Sequence, residues 1–278
     1  MALAIASLNS GSNANCYYVG NQQDAVLIDA GLSCRETERR MKQLELSMER
    51  VRAIFISHEH SDHVTGLAGL SRKYKLPVYI TPETRKHCTL PLEEERVQSF
   101  THNKAVQLGS LSVLPFRKHH DGVDPHSFTV SCKGIHVGVI TDIGFACKQV
   151  IKQFSRCHAV FLESNYCPDM LEKGSYPWHL KKRISGDDGH LSNHQALELF
   201  QHYRPGHLRL LILSHLSKNN NDPKLVEELF RPHAGTTEIV VASRYAASPV
   251  FMVDGEAIGL QQGKSKKATA NQQQLSLF

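Results

Sequence analysis

Apolar residues fall along this chain in short runs rich in β-branched side chains, separated by polar stretches. A first group of runs covers 4–8, 16–19, 25–29, 53–57 and 77–80. A second covers 111–116, 127–130, 136–140, 159–162, 208–213 and 239–242. Such runs, bounded by turn-forming residues, read as strands. Helical periodicity marks 35–44, 191–202 and 223–230. Two clusters of strands with helices among them predict an α/β chain. The order fits two sheets face to face with helices outside, and on pattern alone it fits other α/β arrangements equally.

Composition narrows the class. The chain has 278 residues, 41% hydrophobic and 21% charged, enough for one large or two small domains. No run approaches the ~18 apolar residues of a membrane span. Residues 1–8 are apolar without a basic leader, so a first strand is expected there rather than a signal peptide. Seven cysteines without a C-x-x-C pair suggest reduced thiols and a cytoplasmic location, with Cys16 packed in a strand. The formal charge is +5, but Lys264, Lys266 and Lys267 supply three of it, leaving +2 on the rest. That balance permits DNA binding without demanding it.

The chemistry concentrates in Phe55-Ile56-Ser57-His58-Glu59-His60-Ser61-Asp62-His63. If the strand runs on into its loop, alternation puts His58 and His60 on one side to share an ion. Asp62 and His63 then face a second position nearby. Imidazole and carboxylate donors suit Zn²⁺, Mn²⁺ or Fe, and the lack of thiolate argues against a purely structural zinc. With 17 histidines some crowding is expected. Three of them plus an aspartate in six positions, directly after an apolar run, outweigh that reading.

This run resembles the signature of the metallo-β-lactamase superfamily, and the resemblance extends over almost the whole chain. It implies a four-layer αββα sandwich and a site for two divalent metal ions. Lys118-His119-His120-Asp121, Ile140-Thr141-Asp142 and Leu213-Ser214-His215 match the family's later motifs, each after an apolar run. The resemblance implies that His58, His60 and His120 hold one ion. It gives Asp62, His63 and His215 to the other, with Asp142 bridging and Asp62 also counted as catalytic. Of the adjacent histidines, the family pattern of histidine then aspartate selects His120.

Three further pieces resemble the YycJ (WalJ, VicX) subfamily of DNA exonucleases. They are Ser10-Gly11-Ser12-Asn13-Ala14-Asn15-Cys16, Glu163-Ser164-Asn165-Tyr166 and Gly189-His190-Leu191-Ser192-Asn193, with a departure at Tyr166-Cys167. The resemblance implies hydrolysis of DNA from a 5′ end. Chemically, Ser192 stands three residues before Gln195 and can cap a helix in a capping box. Free amides at Ser192 and Asn193 would favour a phosphate. His190 can protonate the departing oxygen or hold a phosphoryl oxygen, with Glu163 orienting its ring. Ser12 and Asn13 offer donors from the first loop. Lys173, Tyr176, Trp178, Lys181, Lys182 and Arg183 mix cations with aromatic faces, as a lid tracking a nucleic-acid backbone would. A hydrolase of cyclic phosphodiesters or thioesters would use the same metals with a different lid. A non-enzymatic adaptor would keep the fold with a vestigial site.

The chain closes on a change of composition. Residues 261–273 are rich in Gln, Lys, Ala, Ser, Gly and Asn and read as a disordered linker, dividing the sequence into a hydrolase body at 1–260 and a tail at 261–278. Gln274-Leu275-Ser276-Leu277-Phe278 resembles the sliding-clamp-binding motif of bacterial replication and repair proteins. There Gln274 makes the polar contact while Leu275, Leu277 and Phe278 fill apolar pockets. A 13-residue linker spans roughly 20 Å by root-mean-square.

Overall fold

A computed structural model of the chain describes residues 2–255 and 258–261. The Gln274–Phe278 motif and most of the linker lie outside the described residues. The strands are β1 (Leu3–Asn9), β2 (Cys16–Gly20), β3 (Ala25–Ile28), β4 (Val51–Phe55), β5 (Val78–Tyr79), β6 (Val97–Gln98), β7 (Val106–Leu108) and β8 (Leu111–Arg117). They continue with β9 (His126–Cys132), β10 (Ile135–Ile140), β11 (Ala159–Glu163), β12 (Leu210–Ser214), β13 (Glu238–Val241), β14 (Phe251–Val253) and β15 (Ile258–Leu260). The α-helices are α1 (Cys34–Gln43), α2 (Ser61–Val64), α3 (Leu67–Tyr74), α4 (Pro82–His87), α5 (Lys148–Phe154), α6 (Pro168–Lys173), α7 (Trp178–Ser185), α8 (Asn193–Tyr203) and α9 (Pro223–Phe230).

Among the described residues the strands form two sheets, ordered β15-β14-β1-β2-β3-β4-β5-β6 and β13-β12-β11-β10-β9-β8-β7. Each sheet is antiparallel on one side and parallel on the other. β3 to β6 run parallel in the first, and β10 to β13 in the second.

The near-continuous apolar runs form strands because both faces of each sheet are covered. β1 shows the consequence of a two-residue period. Leu3 and Ile5 enter the core between the sheets, while Ala4, Ala6 and Leu8 face a second core. Across the central layer Tyr17 meets Phe161 at 5.0 Å between ring centroids and Phe55 meets Phe128 at 5.6 Å, spacings favourable for aromatic pairs. The second core is closed by Met41 of α1 with Leu67 and Leu70 of α3. A third lies under Phe154 of α5, Phe200 of α8 and Phe230 of α9. The result is the αββα sandwich.

Most strand ends shift by a residue or two from the apolar runs, and at two of them the side chain of Asp29 is the reason. The run at 53–57 keeps its strand to Phe55 and one more bond from the Ile56 amide to Tyr79 O (2.9 Å), and then leaves the sheet, the Ser57 amide donating to Asp29 Oδ1 (2.8 Å) instead of to a neighbouring strand. The run at 25–29 ends at Ile28, and Asp29 turns to φ +61°.

Arg40 anchors α1 to the sheet. It is buried, and its guanidinium donates to Leu8 O (2.6 Å), Asn9 Oδ1 (2.7 Å), Tyr245 O (3.0 Å) and Glu36 Oε1 (2.7 Å). Its stem packs while its head satisfies buried acceptors. Replacing Arg40 by Met keeps the apolar stem and strands those acceptors, so Arg40→Met is expected to lower stability by about 3 kcal/mol. Urea unfolding checks this. A midpoint equal to that of the parent protein would show that solvent satisfies these acceptors.

Candidate active site

The site forms where the parallel strands of both sheets end. Asp29 and Ser57 follow β3 and β4; Asp142, Glu163 and His215 follow or close β10, β11 and β12. Carboxyl ends of parallel strands are where open α/β sheets place their ligands. Asp29, Asp142 and His215 have φ of 61°, 54° and 58°. This left-handed conformation is uncommon for non-glycine residues. It turns each side chain off the strand axis toward the gap between the sheets.

His58, His60, Asp62 and His63 do not lie on an extended strand. The alternation expected for them is replaced by a loop and one helical turn, with His60 capping α2 and Asp62 and His63 inside it. The turn packs against the first loop, where the Asn15 amide donates to Asp62 O (2.7 Å). Gly31 is required beside it, since a Cβ there would stand 1.7 Å from Asp62 O.

The donor atoms gather in overlapping groups, each within 4.8 Å: His58, His60 and His120; Asp62, His63 and His215; His58, His63 and Asp142; and Asp142, Glu163, His190 and His215. His58, His63, Asp142 and His215 each belong to two of the groups and join them into one cluster. His120 points inward, while its neighbour His119 lies half exposed against the ring of Phe145.

Hydrogen bonds fix which ring nitrogen faces the centre. Carboxylates and carbonyls only accept, so an imidazole nitrogen bonded to one carries the proton. His63 Nδ1 donates to Asp29 Oδ2 (2.8 Å), His120 Nδ1 to Gly189 O (2.9 Å), and His215 Nδ1 to Glu163 Oε1 (2.9 Å). Their Nε2 atoms therefore face Asp142 and Asp62, at 3.3 Å for His63 to Asp142 and 3.8 Å for His215 to Asp62. This is how metal-binding histidines are held by outer partners. Asp142 Oδ2 and His215 Nε2 are buried without a hydrogen-bond partner among the described residues. Such atoms are costly unless something charged completes them.

The electrostatics agree. Burial disfavours a charged His215, yet Asp142, Asp62 and Glu163 outweigh it and raise its pKa to about 10. Burial likewise opposes protonation of His63, but Asp29, Asp142 and Asp62 hold its pKa well above the usual range. Burial together with Lys118 and His190 pushes His120 down to about 3. Burial, then His63 and Lys118, hold His58 well below its ordinary value. The acids thus draw positive charge to His63 and His215 while His58 and His120 are kept neutral, the form in which imidazole binds a metal, so the centre suits a divalent cation.

Sequence reasoning missed several residues. Asp29 orients His63 and also accepts from Ser57 Oγ (2.9 Å); an ionisable residue closing an apolar run is the signal for it. Asn15 donates to Asp62 Oδ2 (3.1 Å), and Asn165 donates to His215 O (2.8 Å). Lys118 is buried behind the cluster with Nζ on Thr141 O (2.8 Å), and nothing in its neighbourhood of the sequence marks it as buried.

Other expected substrate contacts are engaged elsewhere. Ser192 forms the capping box with Gln195, and the Asn193 amide N–H donates to Tyr166 O (2.9 Å). The Asn193 side chain is buried between Ser164 Oγ (2.8 Å) and Asn221 (2.9 Å). The free amides expected at Ser192 and Asn193 are thus spent on the helix and its packing. Ser12 and Asn13 instead tie the first loop to Arg244, at 3.3 and 2.9 Å. Arg183 is bound to Asp121 Oδ2 (2.6 Å), and Lys181 Nζ donates to Glu172 O (2.6 Å). His190 Nδ1 donates to Glu163 Oε1 (2.8 Å), and its side chain stays partly exposed.

Comparison with known proteins gives the same frame. Residues 24–216 match the family model described as a beta-lactamase superfamily domain. Exodeoxyribonuclease YycJ of Bacillus anthracis is 34% identical over 228 residues, 81% of this chain and 86% of that protein. Exodeoxyribonuclease WalJ of Streptococcus pneumoniae strain D39 is 30% identical over 78% of this chain and 83% of that one. In fold, the chain superposes on the metallo-β-lactamase fold protein YhfI of Bacillus subtilis with a TM-score of 0.70, at 14% identity over 89% of this chain and 99% of that one. Zn²⁺-bound PqqB of Methylobacterium extorquens follows at 0.66, 14% identical over 88% and 99%. Matched in sequence from β3 to just beyond His215, and in fold over most of its length, the chain belongs to the metallo-β-lactamase superfamily of metal-dependent hydrolases.

Proposed function

We propose that this protein is a metal-dependent DNA exonuclease acting from 5′ ends. The observation that carries the reading is that two donor triads flank Asp142, whose carboxylate lies 3.9 Å from His120 of one and 3.3 Å from His63 and His215 of the other, in a chain 34% identical to an exodeoxyribonuclease. His58, His60 and His120 would hold one divalent cation, and Asp62, His63 and His215 the other, with Asp142 lying between the two groups. Zn²⁺, Mn²⁺ and Fe all suit this donor set. When bound, such cations neutralise phosphoryl oxygens and lower the pKa of water.

The chain's own groups supply the rest. Glu163, fully buried, accepts Nδ1–H from both His190 and His215 through Oε1, and amides of Ile143 (2.6 Å) and Leu191 (3.3 Å) through Oε2. Burial pushes its carboxyl up, but the charge of His190 and the hydrogen bonds from His190 and His215 outweigh it and lower the pKa to about 2, so it stays ionised. With Nδ1–H committed to Glu163, the imidazolium form of His190 can donate its Nε2 proton to the departing oxygen, leaving a neutral ring still held through Nδ1. Lys118 places a positive charge behind Asp142.

The body at 1–260 performs the hydrolysis, and the tail at 261–278 tethers it to the sliding clamp through Gln274, Leu275, Leu277 and Phe278. All seven cysteines are free, which supports a reducing, cytoplasmic setting. Among the described residues no helix is long and apolar enough to cross a membrane.

Three outcomes test this reading. His60→Ala and Asp62→Ala are each expected to abolish cutting of end-labelled duplex DNA in metal-supplemented buffer with an unchanged circular dichroism spectrum. Normal cutting by either variant would remove these residues from the site. Glu163→Gln replaces the acceptor shared by two imidazoles and should weaken metal affinity about 10- to 100-fold. Titration with Zn²⁺ measures that, and equal affinity would make Glu163 a bystander. Removal of residues 274–278 should eliminate stimulation by the clamp and retain clamp-independent cutting. Undiminished stimulation would end the tethering model.

A further inference from the structure

Resting on the nuclease reading, the geometry points to a seat for an unpaired DNA base in the groove between α6 and α7, with Trp178 as its stacking platform. The groove encloses about 670 Å³, within the range of ligand sites. Its floor is apolar, from Pro168 and Leu171 with Tyr166 beside them. One wall is a stripe of α7, namely Trp178, Lys181, Lys182 and Ser185. These positions follow i, i+3, i+4 and i+7, so they share one helix face. Glu172 is the single acid lining it.

Trp178 is 73% exposed, the most exposed large apolar side chain among the described residues. The Lys182 ammonium lies 5.2 Å from its ring centroid, a cation–π spacing. One ring face thus has a cation beside it, and the exposure leaves room for a planar partner on the ring. A base stacked there keeps its flanking phosphates within reach of Lys182 and of Lys181, whose ammonium spends one of its three donors on Glu172 O. Every base has a π-face, so such a seat reads no sequence and suits an enzyme that moves along a strand. An apolar peptide would fill the floor but desolvate two ammonium groups, which disfavours it.

The walls of the groove are tied to the catalytic centre through their chain neighbours. Tyr166 follows Asn165, which bonds His215, and it pairs with Ser192 two residues after His190. The other flank of α7 carries Arg183, bound to Asp121, whose carboxylate is 3.2 Å from His120 Nε2. Neither α6 nor α7 contributes a donor to the groups around Asp142. Their role is to guide a strand.

Trp178 is the only tryptophan in the sequence, so its emission reports the groove alone. The full-length, metal-loaded protein is titrated with a nuclease-resistant phosphorothioate 12-mer of deoxythymidylate, following tryptophan emission and the anisotropy of a labelled copy. Quenching should saturate together with the anisotropy. A 12-mer of abasic residues should bind with little quenching. Trp178→Ala should weaken binding roughly tenfold, with Trp178→Phe restoring most of it. Lys181→Gln with Lys182→Gln should weaken binding and flatten its salt dependence. Anisotropy without quenching, or Trp178→Ala binding as tightly as the parent, overturns the base seat and leaves the nuclease reading intact. Equal quenching by the abasic strand reduces the groove to a backbone contact and overturns it too. Absence of both DNA binding and DNA cutting by the parent protein would bring down the nuclease reading itself.

Discussion

Charge drawn out of water and held by fixed donors is the constraint on which this molecule depends. Asp29, Asp142 and Glu163 are buried where the two sheets open, and a buried carboxylate is tolerated only with partners in place. Imidazoles and backbone amides provide them. Because each carboxylate accepts from an Nδ1–H or meets an Nε2, the tautomer and tilt of the histidines follow from the positions of the acids. The acids in turn are placed by strand ends. The exit of the chain from the parallel strands, the left-handed turns there and the orientation of the rings are therefore one arrangement.

The scaffold supports that arrangement by keeping the gap rigid. Aromatic pairs such as Phe55 with Phe128 lock the sheets together just below the site. The Ser57 amide, taken from its strand by Asp29, shows the exchange locally: one ladder hydrogen bond is given up, and the departing chain carries His58 into the centre. Arg40 performs a related service at the rim, where it joins α1, β1 and the loop at Tyr245.

How far the sequence spoke depended on the kind of interaction. Continuous apolar runs marked most long strands, because burial on both faces leaves no room for polar residues. β6, β14 and β15, of two or three residues, carry too little pattern to be seen. The donors from His58 to His63 stood out because ionisable residues crowd there after an apolar run. Lys118 did not, since its partners are distant in sequence and nothing local distinguishes a buried charge from a solvated one; Asp29 left only the faint mark of an ionisable residue closing an apolar run. Asn193 erred in the opposite direction: its place in a suggestive motif said nothing of Ser164 and Asn221, which occupy its amide. The alternation argument for His58 and His60 led to grouped histidines through the wrong backbone, a loop and helical turn in place of a strand.

Asp121 serves two neighbours at once. One oxygen lies 3.2 Å from His120 Nε2 and 3.7 Å from His60 Nε2, and the other accepts from Arg183 of α7. A partly exposed pair of this kind contributes about 1 kcal/mol or less, weak enough to be traded for another partner. The two oxygens of Asp121 face opposite ways, one toward the histidines and one toward the guanidinium, so a single carboxylate spans the distance from the centre to the helix that bears Trp178. Asp121 is in this way a hinge pin between the two, seated in both parts and belonging to neither.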